Sequence, residues 1–462
     1  MWRWCRIGIS SRGGQNNERS EKLQRVRCDH ICPPLPVWLN FYRIGKANPG
    51  RPKGTGGKWC FVKILHVLPD LEIASGGVAA AASGMAEAVA ARGHEVTIAC
   101  LDRGGATLSA RGVAVRAFPV DNASRLLPSR ALRDYLLESV RRCDLAHIHG
   151  VWQHPGHYAA AAARQSHVPY IVAPHGMLDA NSLAMGRRWA KSVAWFLWDS
   201  DMINGAAAIH CLNEAEIRCS PALKNTRNAV IGNGLPNMAL DNLPPRGFWR
   251  QEMKEAMGST SRPIALFLGR VHPKKGIERL LPHWPELSKQ YPDLLLVIAG
   301  TGEAAHVAQV KDAVKQHGLE NAVFFAGQLS GTTKWQALVD ADVFILPSYQ
   351  EGFSMAITEA MAVGLPVVIT RECNFDEVER FDTGIVVDHG DMEAFTGAVA
   401  RLLGDDGGRR AKGQNGWKLV RQEFTVDATA QKLEKLYESL VRNTGIPESL
   451  RPRNSRKGNK AR

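Results

Sequence analysis

The stretch Glu351-Gly352-Phe353-Ser354-Met355-Ala356-Ile357-Thr358-Glu359 places two carboxylates eight residues apart, just after the apolar run DVFILPS at 342–348. It continues into Gly364-Leu365-Pro366, a sequence that stops a helix. A helix opening after Gly352 presents unpaired N–H groups and a partial positive charge, which suit a diphosphate. Gly352 itself lets a ligand come close to the backbone. If the whole span were helical, Glu351 and Glu359 would stand about 12 Å apart along the axis, at ~1.5 Å per residue. One carboxylate would then reach a sugar while the other holds the ribose of the same nucleotide. A second group is Gly269-Arg270-Val271-His272-Pro273-Lys274-Lys275-Gly276, which begins at the end of the run PIALFLGR at 263–270. Arg270 at the strand end and Lys275 at the start of the next helix would face one cleft, with Lys274 the weaker of the two lysines. Fixed cations there stabilise a departing diphosphate more in the transition state than in the ground state.

Such residues need a scaffold that brings strand ends to one edge. Short apolar runs recur at 61–68, 94–100, 113–120, 144–150, 169–176, 206–213 and 228–235. A proline-rich break at 236–261 interrupts them. The rhythm restarts at 263–270, 293–300, 322–329, 342–348, 366–370 and 384–388, and helical segments follow at 391–403, 408–423 and 426–442. Buried strands alternating with helices predict parallel sheets covered on both faces. The expected fold class is α/β, with two doubly wound, Rossmann-like domains facing across a cleft and disordered basic termini. The boundaries read as a basic extension 1–60, an acceptor-side domain 61–240 and a donor-binding domain 241–425. A helix at 426–444 would pack back on the first domain, ahead of a basic tail 445–462. Ligands of such sheets bind beyond the carboxyl ends of the strands, which makes the cleft the expected site.

Composition narrows the function. The chain has 462 residues, 45% hydrophobic and 22% charged, which sets aside collagen-like, mucin-like and wholly disordered classes. No apolar run reaches the ~18 residues of a membrane-spanning helix. The net charge of +13 suggests nucleic acid until it is located: residues 1–60 carry +9 and 445–462 carry +5, leaving −1 for 61–444. A nucleic-acid groove needs a basic stripe on the fold itself, so no nucleic-acid partner is expected. Nine scattered cysteines fit a reducing compartment without a disulfide framework. The expected location is cytoplasmic, at the inner face of the cell membrane. A dinucleotide enzyme would show G-x-G-x-x-G after the first strand, and this chain has Ser75-Gly76-Gly77-Val78. It also lacks the phosphate-loop and nucleophile-elbow motifs. Cys28-Asp29-His30-Ile31-Cys32 has no second ligand pair, and Asp199-Ser200-Asp201 ends a helical stretch rather than a strand. Neither is read as a metal site.

The G-R-x-x-x-x-K-G and E-x7-E motifs resemble those of the GT-B-fold retaining glycosyltransferases of family 4, the "group 1" family, over about residues 61–443. The resemblance implies that Arg270 and Lys275 bind the donor diphosphate, Glu351 contacts the transferred sugar and Glu359 binds the nucleotide ribose. Gly352 and backbone N–H groups around Phe353, Ser354 and Met355 would join the diphosphate contacts. Gly76 and Gly77 resemble the glycine-rich first loop beside the donor phosphate. His175, in Pro174-His175-Gly176-Met177-Leu178, resembles the histidine that reaches the donor sugar in polysaccharide-assembly members. His149 and Gly150, at another strand end, would line the acceptor side. Asn233-Gly234 matches the family's turn before the linker, with Gly232 replacing its usual proline, a departure expected to bear on turn stiffness. No metal or cofactor is expected, because protein cations serve the diphosphate.

The implied reaction moves a hexose, with retention, from a UDP- or GDP-sugar to a glycan or lipid-linked acceptor in cell-surface polysaccharide assembly. Within 187–198, Trp189, Val193 and Phe196 fall at helical spacing beside Arg188 and Lys191. That pattern suits a helix lying on an anionic membrane or a core helix with snorkelling cations. Three alternatives stand beside this reading: a sugar-nucleotide epimerase of the same fold, a glucan synthase-like enzyme, and a silent binding module. The last should show damaged motifs, whereas Arg270, Lys275, Glu351 and Glu359 are all present.

Overall fold

The computed structural model describes residues 61–72, 77–107, 110–179, 183, 188–223 and 226–453. The extension 1–60, Gly76 and residues beyond 453 lie outside the described residues.

Seven strands build the first sheet: β1 (Lys63–Asp70), β2 (Glu95–Asp102), β3 (Ala114–Pro119), β4 (Leu145–His149), β5 (Tyr170–Ala173), β6 (Ala208–Cys211) and β7 (Asn228–Val230). Six build the second: β8 (Ile264–Leu268), β9 (Leu295–Ala299), β10 (Val323–Gly327), β11 (Val343–Leu346), β12 (Val367–Thr370) and β13 (Gly384–Val387). The orders are β3-β2-β1-β4-β5-β6-β7 and β10-β9-β8-β11-β12-β13, with every pair parallel. β4, β5, β8, β11 and β12 are buried along their whole length, because helices cover both faces. This is the two-domain α/β architecture expected from the alternating runs. In each sheet the order reverses beside the first strand, between β1 and β4 and between β8 and β11. A crevice opens at such a switch point. His149 ends β4, His175 follows β5, Arg270 follows β8 and Glu351 follows β11, so the candidate residues gather at these ends.

Five helices position the site: α1 (Gly77–Ala91), α2 (Arg188–Ala194), α3 (Gly331–Asp340), α4 (Met355–Ala362) and α5 (Val426–Val441). Thr425 caps α5 by accepting from the Ala428 N–H. α5 buries Ala430, Leu433, Leu436, Tyr437 and Leu440 in the core that Ile64, Leu68, Ile98 and Ile171 contribute from the first sheet. Ile446 and Leu450 join the same core. The expected loose tail at 445–462 is therefore corrected through Arg453: two apolar residues four apart hold that stretch down, despite its basic composition.

Two segments cross side by side between the domains. The Leu235 N–H donates to the Phe424 carbonyl at 2.7 Å, and the Val426 N–H donates to the Leu235 carbonyl at 2.9 Å. A Cβ on Gly232 would lie 2.9 Å from the Phe424 ring and 3.1 Å from the Phe353 ring. The replacement of proline by Gly232 thus makes room for two aromatic rings, which corrects the expectation that it concerns turn stiffness alone.

Candidate active site

The loop between β11 and α4 is the centre of the arrangement. Ser354 adopts an extended conformation and α4 starts at Met355, so Glu351 lies in the preceding loop and the E-x7-E span is not one helix. The Ser354 hydroxyl makes no capping bond, leaving the first-turn N–H groups of α4 for another acceptor. Glu351 Oε1 accepts from Lys275 Nζ at 2.7 Å and also from the Ser348 hydroxyl. These two charged side chains are only 13% and 9% exposed. The Glu351 carbonyl accepts from Asn374 Nδ2 at 2.8 Å, which fixes the loop on its other side.

Lys275 ends a short 3-10 turn, Pro273–Lys275, that begins with His272 Nδ1 accepting from the Lys274 N–H. Gly276, at φ +73°, closes that turn against the Pro347 carbonyl, where a Cβ would collide. Lys274 lines the cavity, and Lys275 is ion-paired with Glu351, which lines it too, so both lysines of the motif adjoin the candidate site. Burial pushes the Lys274 ammonium pKa down, and the charges of Lys275 and Arg270 add to that. Arg270 is exposed and makes no ion pair among the described residues. Glu359 Oε1 accepts from Lys334 Nζ, on α3, at 2.7 Å. No motif surrounds Lys334 in the sequence, so only the fold brings it to Glu359.

The first domain contributes the turn at His175 and Gly176, with φ of +53° and +75°. Glu216 holds it: Oε1 accepts from the Gly176 N–H at 2.7 Å and Oε2 from the Leu212 N–H at 2.8 Å. Burial pushes the Glu216 carboxyl up to about 6, against those two N–H groups. The one local sign of Glu216 in the sequence is the helix-capping spacing Asn213-x-x-Glu216, and the Asn213 side chain accepts from the Glu216 N–H.

The two domains touch here. A Cβ on Gly176 would lie 3.2 Å from the Gly352 Cα, and Asn213 Nδ2 donates to the Gly352 carbonyl at 2.7 Å. Between them lies a cavity of about 270 Å³ lined by Trp152, His175, Lys191, Lys274, Glu351 and Asn374, together with Gly176 and Gly352. Trp152, His175 and Asn374 all have positive φ, at +73°, +53° and +56°. Non-glycine residues held in that region store strain, which concentrates at functional sites.

Of the expected contacts, His149 and Gly150 sit behind residues that line the cavity. His149 is 2% exposed and lies behind His175, with His149 Nδ1 3.0 Å from His175 Nε2, so it does not line the acceptor side. Gly150 sits under Met177, whose Cε would be 3.6 Å from a Cβ there. The Phe353 side chain packs against Phe375 and Phe424, which leaves only its backbone to serve a ligand. Gly77 is exposed at the start of α1. Asp199 is fully buried and accepts from the Trp152 N–H at 3.0 Å, which gives it a structural task.

His66, His147 and His149 each offer a nitrogen within 4.8 Å of the others. Both nitrogens of His147 and of His149 are already hydrogen-bonded to neighbours, so the cluster reads as a polar network rather than a metal centre.

Beside the cavity, α2 and the π-helical turn Trp195–Asp199 expose Val193, Phe196, Leu197 and Trp198, at 48%, 84%, 50% and 36%. Among the described residues no helix is long and apolar enough to cross a membrane.

Residues 76–234 match the family described as glycosyl transferase 4-like domain, and residues 250–419 match glycosyl transferases group 1. The lipopolysaccharide core biosynthesis mannosyltransferase of Rhizobium meliloti is 29% identical over 46% of this chain and 62% of its own length. The match thus spans less than two thirds of that relative. An uncharacterized glycosyltransferase of Methanocaldococcus jannaschii is 26% identical over 80% of this chain and 96% of its own. Among solved structures, HepE of Anabaena in complex with UDP and glucose superposes with a TM-score of 0.65 at 18% identity, covering 82% of this chain and 100% of that one.

Proposed function

This chain belongs to the group 1 glycosyltransferases of the GT-B fold, and from that premise we propose that it moves a hexose from a nucleotide-diphosphate sugar to a glycan or lipid-linked acceptor in polysaccharide assembly. The observation that carries the reading is the meeting of His175-Gly176 from one domain with Glu351-Gly352 from the other, around Lys274.

In this reading the donor diphosphate lies on the open first turn of α4, with Lys274 and Arg270 beside it and Lys275 holding Glu351 in place. The bond between the anomeric carbon and the phosphate oxygen breaks as negative charge builds on that oxygen. Cations fixed at that position stabilise the charge without a divalent metal. The acceptor hydroxyl adds on the same face of the sugar and its proton passes to the departing phosphate, so configuration is retained. Glu351 binds sugar hydroxyls and Glu359 the ribose. Contact between Gly176 and Gly352 closes the cleft against water.

The membrane-facing part of the proposal rests on the ridge of Val193, Phe196, Leu197 and Trp198 next to Lys191, which lines the cavity. Apolar side chains at the rim and a cation within suit a lipid-linked acceptor with an anionic head, met at a membrane surface.

Thermal unfolding with UDP-, GDP- and ADP-sugars tests the donor. A ligand at a hundred times its dissociation constant should stabilise the protein by roughly 2.7 kcal/mol. No shift with any of them, and no release of nucleotide in the presence of acceptor glycans, overturns the reading.

A further inference from the structure

β1 and β4 pair with His66 opposite His147, and His149 follows two residues later on the same face. Together with His210 on β6, these rings are buried beneath α5, none more than 2% exposed. Burial drives the pKa of each below the ordinary histidine range, so each ring is neutral and carries one N–H.

One branch of this network has its protons dictated. His210 Nε2 faces the Ile231 carbonyl at 2.8 Å, and a carbonyl only accepts, so Nε2 carries the proton. His210 Nδ1 is then bare and accepts from His147 Nε2 at 3.3 Å, and His147 Nδ1 accepts from the Tyr437 hydroxyl at 2.8 Å. Every contact is satisfied in a single direction.

The other branch reaches the cavity. His66 Nδ1 lies 2.9 Å from His149 Nε2, and His149 Nδ1 lies 3.0 Å from His175 Nε2. With one proton per ring, this chain has two ordered states: all N–H groups point toward the cavity or all point away from it. If they point away, His66 Nε2 is an N–H donor, buried and without a partner among the described residues. If they point toward it, the same atom is a bare acceptor. Orphaned buried N–H groups are rarer than under-satisfied acceptors, which selects the second state. His175 Nε2 then accepts from His149, and the only proton of His175 sits on Nδ1.

We propose that His66 and His149 are positioning residues that lock His175 as a neutral Nδ1–H donor to an oxygen of the sugar in the cleft. The inference deepens the glycosyltransferase reading and rests on it for the identity of the ligand. It assigns His175 a hydrogen-bonding task and not proton abstraction: a ring whose Nε2 is engaged and whose Nδ1 is protonated has no free lone pair to offer the acceptor hydroxyl. The left-handed backbone of His175, pinned through Gly176 by Glu216, sets the direction of that donor.

Two measurements on the full-length protein test this. In protein labelled with ring-15N histidine, the His175 signals are assigned by their loss in His175→Asn. The proposal expects a protonated Nδ1 and a bare Nε2 for His175, and the reverse for His210. A protonated Nε2 on His175 overturns it, whatever the enzyme acts on. His66→Asn places an amide N–H where Nδ1 stood, whereas His66→Leu removes the donor. The Asn variant should keep kcat within about twofold of the parent while Leu lowers kcat about tenfold with KM for the nucleotide sugar little changed. Equal kcat in the two variants overturns the positioning role. If the parent protein transfers no sugar, the functional reading fails and the tautomer measurement still decides the proton assignment.

Discussion

Lys275 Nζ lies 2.7 Å from Glu351 Oε1, and the pair is almost closed off from solvent. Because the partners are buried together, they report differently when changed. Glu351→Gln keeps a hydrogen-bond acceptor for Lys275, so the protein should fold while transfer drops by about 10²-fold or more, as expected when a group acting on the transition state is lost. Glu351→Leu strands the ammonium and should also cost about 3–5 kcal/mol of stability. Thermal unfolding alongside a transfer assay separates the two. Full turnover in Glu351→Gln would remove that carboxylate from the sugar.

Glu359 and Lys334 form the second cation–carboxylate contact, at 2.7 Å and less buried on the lysine side. If Glu359 holds the ribose, Glu359→Ala loses a charge-assisted hydrogen bond, and nucleotide affinity should fall by about 10- to 150-fold. Lys334→Ala only frees the carboxylate to move and should weaken binding about fivefold or less. Calorimetric titration with UDP or GDP reads both. A larger loss in Lys334→Ala would mean that the lysine itself meets the nucleotide.

Adding one methyl group tests the two glycines at the domain junction. Gly232→Ala drives a Cβ into the Phe424 and Phe353 rings and should destabilise by about 1–3 kcal/mol through overpacking. Gly176→Ala combines a left-handed backbone with a clash against Gly352 across the cleft. It should lower turnover by holding the domains apart, with the first domain still folded. Small-angle scattering should show an expanded particle for Gly176→Ala, and an unchanged one would contradict this account of closure.

Acid should unfold the protein. His66 and His175 are pushed down to about 3 and His157 and His210 to about 4, with His147 and His149 well below the ordinary value, all chiefly by burial. Below pH ~6.5 the unfolded chain binds protons that the folded one refuses, so stability falls as pH falls. Glu216 and Asp199, pushed up to about 6 by burial, act the other way, holding protons in the fold that the unfolded chain has released. His154 and His272 are lowered as well and Glu377 and Glu438 raised, so eight lowered histidines outweigh four raised carboxylates. Each uncompensated histidine contributes up to about 1.4 kcal/mol per pH unit. Calorimetry should show Tm dropping as pH is lowered from about 7 to about 5, and a flat profile would contradict the neutral histidine network.

Strand runs such as PIALFLGR and DVFILPS were legible because a parallel strand buried on both faces is nearly continuous in apolar residues. Lys275 and Glu351 stood out because each sits a few residues beyond the carboxyl end of such a strand, whereas Glu359, inside α4, was marked only by its spacing from Glu351. What stayed hidden depends on contacts between segments far apart in the chain. Glu216 meets Gly176 across 40 residues, and Asn213 meets Gly352 across 139. Nothing local in Asp-Leu-Ala-His-Ile-His distinguishes a histidine facing the cleft from one stacked behind it. His149 became a buried relay only once His66 came alongside on β1.

The first sheet is capped by a helix that the ribosome makes only after the whole second sheet. Between Val230, where β7 ends, and Val426, where α5 begins, about 195 residues are synthesised, taking roughly 10–40 s at ~5–20 residues per second. During that interval the face built by Ile64, Leu68 and Ile98 lacks Leu433, Leu436 and Tyr437, and His147 lacks its hydroxyl partner. The second domain, drawn from one continuous stretch, can complete its core meanwhile. The half born first therefore matures last, and a nascent chain stalled before α5 presents an open apolar surface to chaperones.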